Sequence, residues 1–172
     1  MTIALSQDHG AAGRLLSDLL PRVLDDLPAL LDDATGPSAR LDPMVDRALT
    51  ASRAEVLPLA EAAVRHLVEE TTARLRPGTA GPDDDPLQQL RSLARHLGRE
   101  RRLRDAPPGP LLSAYRVGAR LGWRRIAGLA RQVGLPAAAV VRLGEAVYRL
   151  VEDLIEATAD GYAHEQERSV TV

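Results

Sequence analysis

The chain has 172 residues, a formal net charge of −2, no cysteine and no lysine, so all 22 basic side chains are arginine. Without cysteine, disulfides, thiolate metal sites and cysteine nucleophiles are excluded together. The length suits a single domain that buries roughly two thirds of its unfolded surface. Phenylalanine is absent too, which leaves Tyr115, Trp123, Tyr148 and Tyr162 as the aromatic side chains and a core of Leu, Val, Ala and Ile. Residues 1–14 lack a basic start followed by an apolar run, and no apolar stretch reaches the ~18–20 residues of a membrane span. A cytoplasmic domain with no membrane contact is therefore expected. The exclusive use of arginine, with abundant Ala, Leu, Val, Gly and Pro, fits the coding bias of a GC-rich genome and is not itself a sign of phosphate binding.

The apolar residues recur with helical period almost throughout. In the first segment Leu15, Leu16, Leu19, Leu20, Val23, Leu24, Leu27, Leu30 and Leu31 fall three and four apart. Pro21 and Pro28 interrupt that pattern and predict two short helices or one kinked helix. Thr35-Gly36-Pro37-Ser38 ends it. Asp42-Pro43 then supplies a capping carboxylate and a first-turn proline, and opens a second helix towards Leu75, with a kink or break expected at Pro58. Residues 76–85 form the expected mobile loop. Asp85-Pro86 repeats the start signal for a third helix through Leu87, Leu90, Leu93, Ala94 and Leu97. Arginines at its end, from Arg99 to Arg104, suit the helix dipole without needing any partner.

Pro107-Pro108-Gly109-Pro110 is a strong break, and a fourth helix follows from about Leu111 to Val133. Gly134 and Pro136 stop it. The fifth helix, from about Ala137 to His164, carries an apolar stripe of Val140, Val141, Val147, Tyr148, Val151, Leu154, Ile155, Thr158 and Tyr162. No period-two stretch is long enough for a strand. One all-α domain over residues 1–172 is expected, an antiparallel bundle of five to six helices, with a globin-like arrangement as the alternative.

Charge is segregated along the chain: −7 over residues 1–85, +9 over 86–134 and −4 over 135–172. Either these segments pack beside one another with complementary fields, or the basic middle faces an anionic partner. On the fourth helix Arg116, Arg120 and Arg124 form a row suited to an anion or an acidic partner. Glu145, Glu152, Asp153 and Glu156 of the fifth helix are available to pair with it. Direct nucleic-acid contact is not expected, because the domain is not net basic and shows no recognisable motif.

Beside that row, Ala114, Gly118 and Gly122 lie four apart. Glycine in a helix interior costs about 1 kcal/mol against alanine, so the spacing points to a helix crossing at short range, within the chain or from a second subunit. Gly144 is the expected counterpart. Tyr115, Trp123, Tyr148 and Tyr162 are candidates to line a small-molecule pocket, or else are core anchors with a bonded polar atom. His9, His66, His96 and His164 have no metal-ligand spacing, no nucleophile elbow or phosphate loop is present, and no metal, cofactor or catalytic residue is expected.

Several of these residues also carry a resemblance. Gly98-Arg99, then Leu111-Leu112, Ala114-Tyr115-Arg116, Gly118-Ala119-Arg120 and Trp123-Arg124, and later Val147-Tyr148-Arg149-Leu150-Val151-Glu152 with Gly161-Tyr162, resemble the N-terminal helical domain of actinobacterial PucR-type transcriptional regulators. That domain is similar to the N-terminal domain of RsbRD-type stress-signalling proteins. The resemblance covers about residues 86–168. It implies a non-catalytic sensory or dimerising region, not the DNA reader. The charged run His164 to Arg168 reads as a helix that would continue, as in a piece of a longer regulator. Two functions are carried forward: a homodimeric regulatory domain that passes a signal through its last helix, and a stand-alone small-molecule-binding protein with an aromatic-lined apolar pocket.

Overall fold

The computed structural model describes residues 3–35, 43–75 and 86–170, with side chains over 11–29, 56–73 and 87–168. Every regular element among them is helical: α1 (Ile3–Thr35), α2 (Pro43–Leu75), α3 (Pro86–Leu103), α4 (Gly109–Gln132) and α5 (Ala137–Val170). The expected break at residues 36–38, the capping residues Asp42 and Asp85, the 76–85 loop and the His9 side chain lie outside the described residues.

The prolines do not divide the helices. Pro21 and Pro28 sit inside α1 and Pro58 inside α2, and all three side chains are exposed. A proline removes one N–H and frees one carbonyl of the preceding turn. On a solvent face water takes up that carbonyl, so the buried stripe on the opposite side continues to hold the helix together.

The helix ends are better explained by local chemistry. At the close of α4, Gly134 has φ +74°. Its amide donates to the Arg131 carbonyl at 3.1 Å, and the Leu135 amide donates to the Ala130 carbonyl at 2.8 Å. This is a Schellman turn, and glycine adopts its left-handed position without a Cβ penalty. The end of α3 repeats it with aspartate. Asp105 has φ 52°, its amide donates to Arg102 at 3.0 Å, and the Ala106 amide donates to Arg101 at 2.9 Å.

α1 and α2 pack along each other. Each has 33 residues, about 50 Å of helix, and the seven residues between them span far less, so α2 returns along α1. α3 lies chiefly against α5, while α4 touches α1, α2 and α5. The direction of the α3–α5 pair follows from its contacts. Arg91 meets Asp153, and Gly98 meets Thr158 and Tyr162, so the two helices run parallel. At this crossing a Cβ on Gly98 would collide with the Thr158 carbonyl oxygen and lie 2.9 Å from the Tyr162 amide nitrogen. A Cβ on Gly161 would collide with the Arg95 carbonyl oxygen in the same way. The two backbones touch. The core is aliphatic as the composition requires, with Leu16, Leu19, Leu90, Leu111 and Leu143 fully enclosed.

Candidate functional site

The inward face of α4 borders a cavity of about 150 Å³. Val23 and Leu27 of α1, Val56, Leu59 and Val64 of α2, Ile126 of α4 and Val147, Leu150 and Leu154 of α5 supply its aliphatic walls. Ala60 and Ala63 of α2 line it together with Gly118 and Gly122 of α4. All four of these small residues are half-buried, which marks the place where the space reaches solvent. Among the described residues no charged side chain lines it.

The small-residue row of α4 is part of this wall. Ala114 is 2% exposed, and a Cβ on Gly118 or Gly122 would find nothing within 4 Å among the described residues. The glycines thus border open space, and among the described residues no helix crosses them closely. Gly144 faces a different neighbour: a Cβ there would lie 3.1 Å from the Trp123 ring. The close backbone crossing is at Gly98 and Gly161 instead. Spacing did not reveal this, because those two glycines lie on different helices.

Of the four aromatic candidates, two line the cavity and two do not. Tyr115 is buried in its wall, with its hydroxyl 3.2 Å from Thr158 Oγ1. Thr158 has one hydroxyl proton and donates it to the Leu154 carbonyl at 2.8 Å, so the Tyr115 hydroxyl donates to Thr158. Burial pushes the Tyr115 phenol above its ordinary pKa. Trp123 also lines the cavity, half-buried. Tyr148 is 71% exposed on the outer face of α5. Tyr162 is half-buried near the α3 crossing, where its amide approaches Gly98. Thr158, wholly enclosed, stands in the α5 apolar stripe, where its hydroxyl bonds both the Leu154 carbonyl and Tyr115.

Arg116, Arg120 and Arg124 are exposed and make no ion pair with the α5 carboxylates. The cross-helix pairs lie elsewhere: Arg125 to Asp26 of α1 at 2.6 Å, Arg91 to Asp153 at 2.7 Å and Arg149 to Glu70 at 3.7 Å. Glu145, Glu152 and Glu156 remain on the surface of α5. Among the described residues no three His, Asp or Glu side chains stand together as a metal site, and the buried polar side chains are Thr71 and Thr158. Each of these threonines donates to a carbonyl of its own helix. No described helix is long and apolar enough to cross a membrane.

The family model described as the RsbT co-antagonist protein RsbRD N-terminal domain matches residues 28–171. The chain belongs to this family. The match extends the similarity, first seen over residues 86–168, back into α1, so most of the cavity wall lies within the RsbRD N-terminal domain. Comparison with curated proteins and with solved structures gives no match. The RsbRD N-terminal family is a regulatory-domain family and not an enzyme family.

Proposed function

We propose that this RsbRD-type domain is the non-catalytic sensory part of a PucR-type transcriptional regulator, working in the cytoplasm as a homodimer and passing its signal through α5. The observation that carries the reading is the double use of α5. Its inner face walls the cavity through Val147, Leu150, Val151 and Leu154, while its outer face exposes Val141 and Tyr148 at 60% and 71%. A change inside the bundle is therefore felt by a helix whose other side is open to a partner.

A second copy of the chain suits that outer face. Glu145 and Glu152 flank Tyr148 on α5, and Arg116, Arg120 and Arg124 form a basic row on the adjacent α4. A twofold axis brings the basic row of one copy against the acidic face of the other, and the reverse, so one patch serves both subunits. This use of the arginine row leaves no role for direct nucleic-acid contact. The family takes its name from a co-antagonist of RsbT, which favours a protein as recipient of the signal.

Sedimentation velocity over a range of protein and salt concentrations tests the assembly. A dimer that weakens with salt, and that dissociates in Arg120→Glu and in Tyr148→Arg without loss of helical circular dichroism, is expected. A monomer at every concentration, or a dimer indifferent to both substitutions, refutes it.

A further inference from the structure

We propose that the cavity between α1, α2, α4 and α5 is a binding site for a compact, uncharged, largely hydrocarbon molecule about the size of benzene. This goes beyond the self-association reading and does not depend on it.

Volume sets the size of the ligand. Enclosed apolar cavities of roughly 150 Å³ take up molecules of benzene size, and this one has about 150 Å³ with an opening at its small-residue rim. The wall sets the chemistry. Among the described residues it contains no charged group, and its buried hydroxyl, on Tyr115, is engaged with Thr158. A charged or strongly polar ligand would lose its hydration without compensation there, whereas a hydrocarbon surface loses nothing. Trp123 stands in the wall with its ring against Gly144, a flat partner for an aromatic ligand.

The void is also one that the sequence keeps open. A Cβ at Gly118 or Gly122 would meet nothing within 4 Å among the described residues, and larger residues there are better helix formers. Ala60 and Ala63 across the gap on α2 are equally small. Four small residues on two facing helices leave an opening where ordinary leucine-rich packing would close it.

Toluene is the probe, and benzoate, the same ring bearing a carboxylate, is the control. Trp123 is the only tryptophan of the chain, so its emission reports on the cavity directly. Toluene is expected to raise the melting temperature saturably and alter Trp123 emission, while benzoate does neither. Gly118→Leu, which projects a side chain into the cavity, is expected to fold, to melt higher without ligand, and to bind toluene at least tenfold more weakly. Gly122→Ala adds a single methyl group to the same wall and keeps the test decisive if the leucine disturbs folding; it too should weaken toluene. Absence of a saturable toluene effect, an equal response to benzoate, or undiminished binding in both variants overturns the proposal. Sedimentation of the same samples separates the outcomes: a toluene-binding monomer refutes only the dimer, and a dimer blind to toluene refutes only the ligand site.

Discussion

Replacing Gly161 by alanine isolates the close contact of α3 with α5. In an ordinary helix interior this substitution stabilises by about 1 kcal/mol. Here the new methyl group would overlap the Arg95 carbonyl oxygen and lie 2.8 Å from both the carbonyl carbon and the Cα of the same residue. All three atoms are main chain, so no side chain rotates away and α3 itself has to move. Overpacking of this kind costs about 1–3 kcal/mol. The displacement also loosens Leu90, Ala94 and Leu97, which are buried, so the upper end applies. Set against the propensity gain, a net loss of about 2 kcal/mol is expected, or roughly 4–8 °C in melting temperature for a domain of this length. Gly128→Ala is the matched control, because a Cβ there would meet nothing within 4 Å among the described residues and should stabilise by up to about 1 kcal/mol. Urea unfolding followed by circular dichroism reads both. If Gly161→Ala stabilises as Gly128→Ala does, the backbones of α3 and α5 are not in contact and the geometry argued above is wrong.

Two further substitutions probe local features. Asp105→Gly removes a left-handed non-glycine residue and a negative charge from the carboxyl end of α3, and should raise stability by about 0.5–1 kcal/mol in the same unfolding assay. Tyr115→Phe deletes the bond to Thr158 but leaves the threonine hydroxyl on its Leu154 carbonyl, so the loss should be about 1 kcal/mol and not the larger penalty of an orphaned buried group. This residue also sets a pH dependence. Burial holds its folded pKa above the ordinary phenol value of about 10, so the folded chain holds a proton that the unfolded chain releases. The resulting stability is full below about pH 10 and is lost as pH rises through the raised value. A stability–pH profile of Tyr115→Phe should show a shallower alkaline decline than that of the parent chain, and identical slopes would contradict the assignment.

The helical fold was legible because leucine stripes of period 3.6 and the Gly134–Pro136 stop are local signals that packing does not override. Whether the prolines divide a helix or only bend it was not legible, since their effect depends on whether the freed carbonyl meets water, and that is a property of the folded surface. The site was only half legible. Ala114, Gly118 and Gly122 stood out by spacing, but a glycine that makes room for a helix and one that makes room for a void look the same in sequence. Gly98 and Gly161, where backbones do meet, carry no spacing signal because the partner glycine is 63 positions away. Likewise Tyr148 shares the period of the α5 stripe while sitting at its edge, and Val23, Leu27, Ala60 and Ala63 read simply as core until α1 and α2 are placed opposite α4.

The glycine contacts at the α3–α5 crossing also have a mechanical consequence. With main chain seated on main chain at two successive turns, neither helix can slide or roll without the other, and the pair behaves as a single stiff beam. Any give in the bundle is then left to the seam where Ala60 and Ala63 of α2 face Gly118 and Gly122 of α4, because no main chain is seated on main chain there among the described residues.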